Sequence, residues 1–249
     1  CFGRGDTAYL DIESKVLGLL SKITCHDSIA RLQGSATLAL EIGLANFCHG
    51  DILVLSTGYY SDRLFNILKK LHASTSNIRS LSRIDYQEFS SYSHNCDWVV
   101  SVNVETSIGF KVDVSSVKQF CGAVGAKLFL DSTASIGLEN DDHFADVSCF
   151  SSCKGLFGLT GSSFISYCST LPISEPNYSH YLRLSTHTEK GVTGPYHTIL
   201  SLYGTLLNYD LLSSRVKLFR KSFLNVFRDY ILYPRVNQPI LCTALNIPL

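Results

Sequence analysis

The sequence predicts an α/β fold: a mostly parallel sheet covered by helices on both faces. Strand-like and helix-like patterns alternate along the chain, as successive strand–helix–strand units do. Of the 249 residues 45% are apolar and 17% charged, enough apolar material for a substantial core and too little charge for a disordered chain. Candidate functional residues fall where strand patterns end and helix patterns begin, and open sheets of this class bind ligands at the carboxyl ends of their strands.

The elements follow in order. Residues 8–23 carry apolar side chains at helical spacing, and 35–48 are apolar on more than one face, as in a buried helix. Residues 51–55 read as a strand and 62–71 as a helix; 98–104 form a strand, 114–123 a helix, and 127–130 a strand ending at Asp131. Two short strands follow at 147–151 and 163–167. Residues 171–195, rich in Pro, Ser, His and Tyr, read as irregular loop. A long helical pattern comes next. Ile199, Leu202, Tyr203 and Leu206 share one face; Val216, Phe219, Phe223, Val226 and Tyr230 share another, with Arg215, Lys217, Arg220, Lys221 and Arg228 as a solvated basic side. Tyr233-Pro234 should end that helix, and 236–249 begin a further unit. The expected organisation is a large domain over 1–205, then an interdomain helix and the start of a small C-terminal domain over 206–249.

Charge and cysteine usage exclude several classes. Lys+Arg and Asp+Glu balance at 21 each, so no global attraction to nucleic acid or to an anionic membrane is expected. No apolar run is long enough to span a bilayer, and the start does not resemble a signal peptide. The chain has no methionine and opens on Cys1, so a preceding segment is expected to be missing. Nine cysteines, none in a Cys-x-x-Cys pair, read as reduced thiols of a cytoplasmic protein, with no zinc site.

Three stretches carry chemistry. Leu32-Gln33-Gly34-Ser35-Ala36-Thr37 opens the buried helix; its unpaired first-turn N–H groups and two hydroxyls suit a phosphate, although Ser35 could equally be an ordinary cap. Lys127-Leu128-Phe129-Leu130-Asp131 delivers a carboxylate at a strand end, fit to hold a metal, act as base, pair with a protonated ring nitrogen or cap a helix. Asp146-Val147-Ser148-Cys149-Phe150-Ser151-Ser152-Cys153-Lys154-Gly155, with Gly158 and Gly161 beyond, places a lysine after a buried strand; it is a surface lysine or an amine nucleophile toward aldehydes. A phosphate cradle, a strand-end Asp and a Lys 23 residues later, in that order, match what pyridoxal phosphate requires.

At these residues the sequence resembles the class V branch of fold-type I pyridoxal-phosphate aminotransferases, and within it the 2-aminoethylphosphonate–pyruvate transaminases. Six stretches correspond in order. They are 32–41, Gly58-Tyr59-Tyr60-Ser61-Asp62-Arg63, Asn103-Val104-Glu105-Thr106-Ser107-Ile108-Gly109, Asp131-Ser132-Thr133-Ala134-Ser135-Ile136-Gly137, Asp146 with 151–161, and Thr193-Gly194-Pro195. The resemblance implies that Lys154 forms the Schiff base and shuttles the proton, and that Asp131 keeps the ring nitrogen protonated. Ser35, Ala36 and Thr37, with Ser151 or Ser152, would hold the phosphate, and Thr106 and Ser107 would lie by the ring's O3′ edge. Thr193 would reach the neighbouring subunit's cofactor in a homodimer. The implied reaction moves an amino group from a small amine such as 2-aminoethylphosphonate to pyruvate. The substrate-anion arginine would lie in the C-terminal domain that 206–249 only begin. Alternatives are alanine/serine–glyoxylate transamination, a lyase or desulfurase, or a non-catalytic chain of the same fold. Arg4-Gly5-Asp6 and Asn177-Tyr178-Ser179 match an adhesion tripeptide and a glycosylation sequon, but neither fits the rest of the pattern.

Overall fold

A computed structural model describes residues 5–188, 192–233 and 238–247. Asp6 starts the first helix by accepting the N–H groups of Ala8 (3.0 Å) and Tyr9 (3.1 Å), and α1 runs Thr7–Thr24. The chain then alternates. After β1 (Ser28–Gln33) come α2 (Ala36–Phe47), β2 (Gly50–Ser56), α3 (Tyr59–Ser74), β3 (Ile78–Asp85) and β4 (Trp98–Val102). A two-stranded hairpin, β5 (Val104–Glu105) and β6 (Phe110–Lys111), precedes α4 (Val114–Val124), β7 (Lys127–Asp131), β8 (Val147–Ser151) and β9 (Ser162–Tyr167). α5 (Leu184–Thr188), α6 (Tyr196–Leu207) and α7 (Tyr209–Val226) follow.

Seven strands form one sheet in the order β1-β9-β8-β7-β4-β2-β3. The run from β8 to β3 is parallel; β9 alone is antiparallel, to β8 on one side and β1 on the other. Both faces are covered, which explains the near-continuous apolar strands. Consecutive residues of one strand serve opposite cores: Cys149 and Ile165 pack with α2 and α4 residues such as Leu40, Phe47 and Val117, while Phe150 and Phe164 pack with Val16, Leu20, Ile199 and Leu202 of α1 and α6. The mostly parallel, helix-covered architecture expected from sequence is the observed one.

Four details differ. β1 and β3 are strands that the sequence pattern did not mark. β1 carries Ser28, Arg31 and Gln33, and its pairing with β9 comes from far along the chain. β3 is an edge strand, polar and largely open to solvent. The long helical pattern is two helices, broken at Asn208, whose side chain turns back to the Gly204 carbonyl at 3.0 Å. The 171–195 loop holds the short α5, pinned where Asn46 donates to the Leu182 carbonyl (2.7 Å) and accepts from the Leu184 N–H (3.0 Å). α7 ends at Val226, ahead of the stop expected at Tyr233-Pro234; Pro234 itself lies outside the described residues. Among those residues no helix is long and apolar enough to cross a membrane.

Candidate active site

A cavity of about 480 Å³ opens where the carboxyl end of β8 and the loop after β7 meet the amino ends of α2 and α3. Gly34, Ser35, Ala36 and Thr37 line one wall. Gly34 donates its N–H to the Gly161 carbonyl at 3.0 Å, and a Cβ there would press on the end of the Leu38 side chain at 2.7 Å. Ser35 occupies the cap position of α2, but its hydroxyl caps nothing. Its carbonyl instead accepts the N–H of Leu38 at 3.0 Å. The first-turn N–H groups therefore face the cavity beside the Ser35 and Thr37 hydroxyls, an arrangement that holds an anion.

Lys154 lines the opposite wall with Ser151 and Cys153. The turn after β8 aims it there. Gly155 packs so tightly that a Cβ would lie 2.4 Å from the Ile136 carbonyl, and Gly158 donates its N–H to the Ser152 carbonyl at 2.8 Å. Lys154 itself takes a left-handed backbone, φ 55°, a conformation costly for a residue with a long side chain and concentrated at functional sites. Its Nζ lies 5.6 Å from the centre of the Tyr60 ring.

Asp131 stands buried at the end of β7. One oxygen is fixed: Oδ1 accepts the Thr133 N–H at 3.0 Å and the Thr133 hydroxyl at 2.5 Å. The other faces Arg63, whose Nη2 is 3.8 Å from Oδ2. Burial pushes the Asp131 carboxyl above the ordinary range, while Thr133, Arg63 and Lys154 pull it back.

Tyr60 and Arg63 also line the cavity, with the Arg63 guanidinium 4.7 Å above the Tyr60 ring centre. Sequence reasoning assigned them no role, although both sit in the 58–63 stretch that it matched. Glu105 holds them in place. Fully buried, it accepts the N–H groups of Tyr60 (3.0 Å) and Ser61 (3.2 Å) and the hydroxyl of Thr57 (3.3 Å), tying the start of α3 to the loop after β4.

The other expected site residues are placed differently. Ser152 turns away from the cavity; its hydroxyl donates to the carbonyls of Leu159 (2.5 Å) and Ser162 (3.0 Å). Ser151 is the serine on the cavity wall, with Oγ 3.2 Å from the Cys153 sulfur. Thr106 and Ser107 lie outside the lining, and the Ser107 hydroxyl donates to Glu105 at 2.5 Å. Thr193 lines a second hollow, with Gly194, Pro195 and Thr198, that shares Gly161 with the first and does not include Lys154.

No known family profile matches the chain, and no curated protein matches it by sequence. Solved structures do. An aspartate aminotransferase of subgroup IV from Thermus thermophilus superposes with a TM-score of 0.83 at 16% identity, covering 100% of this chain and 77% of that one. An alanine–glyoxylate aminotransferase from Nostoc sp. gives 0.79 at 18% identity, covering 99% and 74%. A pyridoxamine–pyruvate aminotransferase from Mesorhizobium loti gives 0.78 at 18% identity, covering 99% and 71%. The chain thus has the aminotransferase fold of these proteins, fold type I among pyridoxal-phosphate proteins.

Proposed function

We propose that the protein is a pyridoxal-phosphate-dependent aminotransferase of the class V type. The observation that carries this is a cavity lined by a helix-start anion cradle and a lysine, with a buried carboxylate held just behind its Arg63 and Thr133 wall. The residues present fit the cofactor. The uncapped start of α2 suits its phosphate, and the Tyr60 face suits its ring. A carboxylate with one oxygen free of hydrogen bonds suits its ring nitrogen, and a cavity lysine suits its aldehyde.

When bound, pyridoxal phosphate supplies an aldehyde that condenses with amines and a ring that takes up an electron pair. The chain does the rest. Ser35, Ala36, Thr37 and Ser151 hold the phosphate. Asp131 keeps a proton on the ring nitrogen, and Tyr60 sets the ring plane. Lys154 would supply the amine that meets the aldehyde and the base that moves the proton at the substrate carbon. Thr106 and Ser107 belong to the ring's O3′ side in this scheme. Thr193 serves the cofactor of a second copy, so the working unit is a homodimer. Its hollow, separate from the Lys154 cavity, supports that division. The eight described cysteines are all unpaired, which supports a cytoplasmic setting.

The substrates proposed are a small amine donor and a 2-oxo acid acceptor. The motif order favours 2-aminoethylphosphonate and pyruvate. The likeness to the Nostoc alanine–glyoxylate enzyme supports alanine and glyoxylate as a second pair. Desulfurase chemistry is less well served: Cys242 lies within electrostatic range of Lys154, but burial pushes its thiol up to about 11, away from the thiolate form. The test is a titration with pyridoxal phosphate followed by single half-reactions. The proposal expects a visible absorbance band that one donor bleaches and its acceptor restores, absent in Lys154→Ala. A protein that binds no cofactor, or a band unchanged in Lys154→Ala, overturns it.

A further inference from the structure

Asp131 and Arg63 form an unequal pair. Thr133 occupies one carboxylate oxygen of Asp131 with two hydrogen bonds. The other has the Arg63 Nη2 at 3.8 Å, inside ion-pair range and beyond a hydrogen bond. Among the described residues the Arg63 Nε is buried without a hydrogen bond, and its guanidinium rests on the Tyr60 ring. Glu105 anchors the first turn of α3, one turn ahead of Arg63.

We infer that Arg63 is a positioning residue for Asp131. It keeps the buried carboxylate ionised, and its second oxygen free of a hydrogen bond behind the cavity wall that Arg63 and Thr133 form. This rests on the proposed cofactor, since the free oxygen is what the protonated ring nitrogen would meet. The charge logic is direct. Asp131 is buried, so it needs a nearby cation to stay ionised. The groups facing it are Arg63 from α3, Lys154 beyond β8, Thr133 on its own loop and the Cys149 thiol of β8. Only the two cations favour ionisation through charge, and condensation with the cofactor's aldehyde would spend Lys154. Arg63 would then be the remaining positive charge beside Asp131 apart from the ring nitrogen itself. A full hydrogen-bonded pair would block the oxygen; a gap of 3.8 Å leaves it open.

The experiment is the pH dependence of cofactor affinity, read by fluorescence or absorbance titration with pyridoxal phosphate, in the wild type, Arg63→Gln and Arg63→Lys. Removing the cation raises the Asp131 pKa further, so the acid-side loss of affinity moves to higher pH in Arg63→Gln, by about one unit. Arg63→Lys, which restores a point charge, returns most of that shift. Thermal unfolding of each variant without cofactor separates a fold defect from the effect. If Arg63→Gln unfolds, the Arg63→Lys profile decides: a limb within about 0.3 pH unit of wild type supports the inference, and a limb shifted by a full unit overturns it. A wild-type acid limb preserved in Arg63→Gln overturns the role of Arg63 and leaves the cofactor assignment standing. Wild-type protein that binds no pyridoxal phosphate at any pH overturns that assignment instead.

Discussion

Lys154 owes its place to its glycine neighbours. Gly155 sits against the Ile136 carbonyl and Gly158 against that of Ser152, on either side of the left-handed backbone of Lys154 and Phe157. Gly155→Ala forces a methyl into backbone at 2.4 Å and should destabilise the fold by about 1–3 kcal/mol while abolishing cofactor binding. Chemical denaturation with and without pyridoxal phosphate checks it; an unchanged midpoint contradicts it. Asp131→Asn keeps the Thr133 contacts but cannot bear the charge. It should retain a phosphate-anchored cofactor and lose at least tenfold in the donor half-reaction, measured by stopped-flow absorbance. At this scale the sequence was most legible where a residue's own strand or helix places it: Ser35–Thr37 at the start of α2, Asp131 at the end of β7, Lys154 after β8. Ser152 was less so, because only the chain path shows its hydroxyl spent on the Leu159 and Ser162 carbonyls.

Among the elements, α3 shows why two cavity residues escaped notice. Its helical pattern begins legibly, but its first turn is anchored by Glu105 of β5, 45 residues on from Tyr60. Glu105→Ala removes the acceptor from five donors, on Thr57, Tyr60, Ser61 and Ser107, and should cost about 1–3 kcal/mol and weaken cofactor binding through Tyr60 and Arg63. Equal stability and equal affinity in the variant would contradict that role. The polar strands β1 and β3 escaped for a related reason. One is made a strand by a partner distant in sequence, the other is an edge with one neighbour, and neither needs the apolar run that marks the central strands. The break at Asn208 shows in the sequence only as a change of apolar face, because α6 and α7 each keep helical periodicity.

Taken whole, the molecule is a sheet between two cores, with the site at the edge where strand ends and helix starts converge. His26 ties this frame together. Its Nε2 donates to the Ala145 carbonyl at 2.8 Å and its Nδ1 meets the Ser166 hydroxyl at 2.9 Å, linking the end of α1 to β9 and to the turn before β8. Burial holds its pKa below the ordinary value. The unfolded chain therefore takes up a proton near pH 6.5 that the folded chain resists, so this contribution is complete above that pH and is lost as pH falls below it. Its slope approaches about 1.4 kcal/mol per pH unit. Urea midpoints from pH 7 to 5 should fall more steeply in wild type than in His26→Asn; parallel profiles contradict this. The proposed homodimer belongs to the same scale. Sedimentation at micromolar concentration should give twice the chain mass, and a strict monomer would refute a shared site at Thr193.

The central claim is that Lys154 is the amine that meets the cofactor. The most direct measurement is borohydride reduction of the protein mixed with pyridoxal phosphate, followed by digestion and mass mapping. The account predicts a single reduced pyridoxyl adduct on the peptide carrying Lys154. No adduct, or one spread over other lysines with Lys154 unmodified, would contradict it.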